Sequence, residues 1–125
     1  MATESSEAWV EVFEARERLR IDEELFYALL YDYLAVTSSP TIRDIIRYLE
    51  TFMEKDFDGN TVAWRKAFHA LALAQLERNI AALGLPVRRT ANAMARREFH
   101  VDEARWLLCW QLCKLVYILK TRGIQ

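Results

Sequence analysis

Glycine and proline are scarce in this chain, at three and two of 125 residues, against average usage of roughly 7% and 5%. So little glycine argues against a turn-rich β protein. It also leaves no phosphate-cradling loop, since neither G-x-G-x-x-G nor G-x-x-x-x-G-K occurs. Two cysteines and two histidines are too few to supply a four-ligand metal site easily. Cys109 and Cys113 are expected to be buried free thiols in a reducing compartment. The longest apolar run, residues 106–119, covers 14 residues and holds Gln111 and Lys114, too short to span a bilayer. The acidic N-terminus lacks the layout of an export signal. A single soluble, cytoplasmic domain over residues 1–125 is the expectation, with no membrane partner and with residues 1–5 disordered.

What the chain does have is apolar mass and polarised charge. Hydrophobic residues make up 53% and aromatics 12%, too much for a disordered chain. Residues 1–60 hold 14 acids and 6 bases, whereas residues 61–125 hold 4 acids and 11 bases. The overall charge of −1 hides this asymmetry.

Six helical segments follow from periodicity, and no stretch alternates like a strand. The first, about 6–19, stripes Trp9, Val12, Phe13, Ala15 and Leu19 along one side. Asp22 is placed to cap the second, about 23–36, which is apolar almost all round and therefore central. The third, about 41–55, is the cleanest amphipath, with Ile42, Ile45, Ile46, Leu49, Phe52 and Met53 together. Asn60 or Thr61 caps the fourth, about 61–83, whose many alanines imply close contacts on more than one side. Gly84 and Pro86 end it. A short basic fifth segment, about 87–99, precedes a sixth over 102–121, opening on Asp102-Glu103 and closing on Lys120, Arg122 and Gly123. The predicted fold is all-α, a compact six-helix bundle with a long apolar C-terminal helix.

Several motifs reduce to ordinary structure. Asp56-x-Asp58-Gly59-Asn60 resembles part of a calcium loop, but the twelfth loop position, where calcium wants a bidentate Glu, is Arg65. A turn followed by a helix cap is the reading adopted. Neither His69 nor His100 has the Glu three residues before it that a di-metal bundle uses. His100 is expected to hydrogen-bond between helices. No catalytic, cofactor-binding or metal-binding residue is expected, and the chain is read as a non-enzyme without a cofactor.

Two segments carry a faint helix-turn-helix pattern. Residues 30–34, then Ser39-Pro40-Thr41-Ile42-Arg43-Asp44-Ile45, then Asn60 to Lys66 resemble the opening of winged-helix repressors of the LexA kind. The resemblance covers about a third of the chain and implies a reading helix starting near residue 61. It departs through the acidic insert Glu50 to Asp58 and the lack of strands for a wing. Residues 80–86 followed by Val87-Arg88-Arg89-Thr90 are similar to such a turn, but Thr90 stands where an apolar residue should lock the second helix.

These observations lead to a protein–protein interaction module that self-associates as a homodimer or larger homo-oligomer. Its apolar anchors are expected on the last helix: Trp106, Trp110, Leu115, Tyr117 and Ile118. The alternative is a nucleic-acid-binding regulator. In it Arg88, Arg89, Arg96 and Arg97 hold phosphates, while Arg65, Lys66 and His69 face bases. Against this, the same arginines are expected to meet the acidic first half, within the chain or across a dimer.

Overall fold

A computed structural model describes residues 3–122 of the chain, and it bears out the all-α expectation. Six α-helices occur among the described residues, and no strand does. They are α1 (Thr3–Leu19), α2 (Glu23–Val36), α3 (Ile42–Thr51), α4 (Thr61–Ala82), α5 (Val87–Phe99) and α6 (Cys109–Arg122). Of the stretch 1–5 expected to be disordered, residues 1–2 lie outside the described residues, as does the closing Gly123, whereas residues 3–5 are helical as the start of α1. No described helix is long and apolar enough to cross a membrane.

Local chemistry sets most helix ends. The Asp22 carboxylate accepts the backbone N–H groups of Glu24 and Leu25 at 3.1 and 3.4 Å and starts α2. At α3, Thr41 and Asp44 form a reciprocal capping box. Asp58 accepts from Asn60 N–H while Gly59 adopts φ +88°, and Asn60 caps Ala63. The suspected calcium loop is thus a turn and a cap. At the end of α4, Gly84 takes φ +73°, where a β-carbon would be strained, and the N–H groups of Gly84 and Leu85 close on Ala81 and Ile80.

The core forms around α2 and α6. Leu25, Phe26, Ala28 and Leu29 of α2 are sealed against Leu112, Leu115, Val116 and Leu119 of α6 in a single apolar cluster. The packing of α2 on α6 is the most extensive in the molecule, and that of α4 on α6 comes next. Helix α2 is therefore central, as its all-round apolar character predicts. Helix α3 lies against α1, with Arg18 and Glu50 paired at 2.8 Å across the seam. Helix α5 packs on α4 through Ala91, Met94 and Ala95.

Four expectations change. The third segment does not run to residue 55 as one helix. It widens after Thr51 into a π turn, Phe52–Asp56, closed by Phe57 N–H on Phe52 O at 2.9 Å. This extra residue stacks the Phe52 and Phe57 rings, whose centroids are 6.2 Å apart. The alanines of α4 do not all serve close packing, because Ala63, Ala67, Ala70, Ala74 and Ala81 face solvent. His100 joins no two helices. It is exposed in the left-handed conformation at the end of α5, with φ +57°.

The fourth change is the largest. The long apolar C-terminal helix is not found: residues 100–108 leave the helical path, and α6 has 14 residues. A single 3₁₀ turn, Ala104–Trp106, interrupts them, and Leu107 is extended with ψ 154°. Distant partners pin this turn. Asn92 Oδ1 accepts Ala104 N–H at 2.9 Å, and His69 Nε2 donates to the Leu107 carbonyl at 3.0 Å. Helix α6 starts instead with Gln111 reaching back to Leu108 N–H at 2.9 Å, the return arm of a capping box.

Candidate interaction surface

The five anchors expected on the last helix separate into three environments. Leu115 is fully buried and Ile118 is 2% exposed, so both belong to the chain's own core and present no surface to a partner. The greasy circumference of α6 is largely consumed by α2 on one side and α4 on another. Trp110 and Tyr117 lie on the remaining strip, half-buried beside Gln111 and Lys114. Trp106 is not on the helix at all. It stands on the 3₁₀ turn, 59% exposed, with the Arg105 guanidinium over its ring at 5.9 Å.

Sequence reasoning missed the rings that Trp110 and Tyr117 join. Helix α2 sets Tyr27 and Tyr31 one turn apart, and α5 ends at Phe99. Trp110 lies 5.8 Å from Tyr27 and 5.7 Å, edge-on, from Phe99. Tyr31 lies 6.5 Å from Tyr27 and 5.7 Å from Tyr117. The result is a ribbon of five rings along the α2–α6 seam: Phe99, Trp110, Tyr27, Tyr31 and Tyr117. All five keep part of their surface in solvent. Lys114 lies over this ribbon, with its ammonium 5.7 Å from the Phe99 ring centre and 5.9 Å from that of Tyr31. The hydroxyls of Tyr27, Tyr31 and Tyr117 make no side-chain hydrogen bond among the described residues. Burial, and then the neighbouring Tyr27 and Tyr117, push the Tyr31 phenol above its ordinary pKa. It remains a neutral donor at physiological pH. The i, i+4 spacing of Tyr27 and Tyr31 was the available clue to this surface.

The arginines of α5 present a different face. Arg88, Arg89, Arg96 and Arg97 are all exposed. Arg88 pairs at 3.7 Å with Glu103, and Arg97 at 3.3 Å with Glu98. Arg96 donates to the Asp102 carbonyl at 3.4 Å. These partners, among the described residues of the one chain, come from the basic half itself. Arg65 does join the halves, meeting Glu24 at 3.2 Å. Arg65 and Lys66 are on the first turns of α4, beside Leu107 and Leu108 rather than on the arginine face of α5.

The cysteines are free and buried, as their apolar setting predicts. Burial, followed by the Glu24 carboxylate that accepts the Cys109 thiol at 3.5 Å, pushes Cys109 up to about 12. Burial and nearby Asp32 raise Cys113 further. Neither thiol ionises at neutral pH, and an un-ionised thiol is a poor nucleophile. No group of three or more His, Cys, Asp or Glu side chains suited to a metal occurs among the described residues. No wing strand accompanies the helix-turn-helix-like segments there. No family model, curated protein or solved structure matches the chain.

Proposed function

We propose that the protein is a helical interaction module without catalytic activity that self-associates through the aromatic ribbon of the α2–α6 seam. The observation that carries this reading is the ribbon itself. Five adjoining rings with solvent-facing edges and unpaired phenols match what protein interfaces use as anchors. Trp110 and Tyr117 serve as the α6 anchors, and Trp106 is a separate exposed contact. A two-fold interface is the simplest arrangement, since one patch then meets its own copy. The test is native mass by light scattering on the wild type and on Tyr31→Asp and Tyr117→Asp. The expected result is a wild-type dimer and monomeric variants of unchanged helical circular dichroism. A monomeric wild type overturns the reading.

A second reading, a nucleic-acid-binding regulator, is favoured by the four exposed arginines of α5. It predicts binding that weakens steeply with salt, with both affinity and slope reduced in Arg96→Ala/Arg97→Ala. Undetectable binding to duplex and single strands at low salt excludes it.

A further inference from the structure

Between the first turns of α4 and the 104–108 turn lies an open cleft of about 390 Å³. This lies within the size range of small-molecule sites, roughly 300–1,000 Å³. Its apolar lining is Ala70, Leu107 and Leu108, and the Cys109 thiol and the His69 ring complete the wall. Both wall groups are committed within the chain. His69 Nε2 donates to the Leu107 carbonyl at 3.0 Å, and the Cys109 thiol donates to Glu24 at 3.5 Å.

The rim is where unspent polarity remains. Glu24 is occupied at both oxygens, by Cys109 and by Arg65. Arg65 is half-exposed, and although it pairs with Glu24 its guanidinium makes no hydrogen bond among the described residues. Lys66 has no ion pair or hydrogen bond among them either. The cleft therefore offers the Lys66 ammonium and the outer N–H groups of Arg65, whose Nε faces Glu24 at 3.2 Å, above an apolar floor. Counting Arg65, Lys66 and Glu24, it carries one net positive charge. That charge matches a monoanion, and a guanidinium fork matches a carboxylate. A dianionic phosphate would remain half-compensated.

We infer that this cleft binds an organic monocarboxylate with a compact apolar body, its carboxylate between Arg65 and Lys66 and its body on Ala70, Leu107 and Leu108. This inference is independent of the self-association reading, because the ribbon contributes no residue to the cleft. The thiol is a wall and not a reactant, so the site binds without transforming.

Titration of ¹⁵N-labelled full chain with phenylacetate and with its neutral analogue phenylacetamide tests this. Phenylacetate is expected to bind saturably with a dissociation constant on the order of 1 mM. Shifts should be confined to the amides of residue 24 and residues 65–70 and 107–109. Phenylacetamide should bind about tenfold more weakly, as one lost charge-assisted bond implies. Lys66→Gln is expected to erase the preference for the acid, and Ala70→Leu, on an exposed helix position, to block both compounds. Equal binding of acid and amide overturns the inference. So do shifts elsewhere in the chain, undiminished binding to Ala70→Leu, and no saturable response to phenylacetate.

Discussion

Trp106 and Trp110 are four residues apart, a spacing that on a continuous helix would put both on one stripe. In the fold Trp106 is 59% exposed, while Trp110 is wedged between Tyr27 and Phe99. The difference lies in what surrounds each backbone. Trp110 rides on a helix whose other faces are clasped by α2 and α4, so its ring is drawn down onto the seam. Trp106 rides on a turn whose neighbours Ala104 and Leu107 take the buried places, at 2% exposure each, and leave the indole outside. Burial in this region is thus settled by how the backbone is anchored, not by side-chain hydrophobicity.

The contrast can be broken first by charge. Leu115→Asp buries an unpaired carboxylate in the α2–α6 core and is expected to abolish cooperative unfolding. Trp106→Asp should shift stability by no more than about 0.5 kcal/mol. Urea titrations of the two variants check this. Next, Trp110→Ala removes a ring packed against two others and should cost about 2–3 kcal/mol, with Trp106→Ala again near neutral.

The anchoring itself is the third target. Asn92→Ala leaves Ala104 N–H without its acceptor and should cost about 1 kcal/mol. Faster hydrogen exchange should then be confined to the 104–108 turn. Gly84→Ala should cost about 1 kcal/mol because of its positive φ, whereas His100→Gly should gain a smaller amount by relieving the same strain.

The smallest expected effect is on the packed side. Burial raises the Asp32 carboxyl above its ordinary value of 3.8, although the Tyr48 phenol, donating at 3.5 Å, and nearby Lys120 oppose this. The folded state then holds its proton more tightly than the unfolded chain. Asp32 therefore lowers stability as pH rises from the usual carboxylate range through its folded pKa. The capping carboxylate Asp44 behaves oppositely: hydrogen bonds from Thr41 lower its pKa, and its contribution is lost as pH falls. Asp32→Asn should remove the first component and retain the second, as read from denaturation midpoints between pH 3 and 7.

Much of this was legible in the sequence where the deciding interaction is local. Asp22, Asn60 and Gly84 act within a few residues of themselves, and α5 spans Val87–Phe99 as its flanking Pro86 and basic periodicity imply. The break at residues 100–108 was not legible. Ala104, Leu107 and Leu108 suit a helical stripe equally well, and what overrides it is 12 and 38 residues away, at Asn92 and His69. The interaction surface divides likewise. The sequence offers Trp110, Leu115, Tyr117 and Ile118 alike as apolar anchors, and only the positions of α2 and α4 decide that Leu115 and Ile118 point inward.

The seating of α6 has a consequence for synthesis. The apolar side of α2, with Leu25, Phe26 and Leu29, is covered by residues about 85 positions later in the chain. A nascent chain emerging from the ribosome must therefore carry α2 without its α6 cover until Leu119 is clear of the exit tunnel. During that interval the growing polypeptide exposes apolar surface that the finished fold hides, the condition under which chains aggregate.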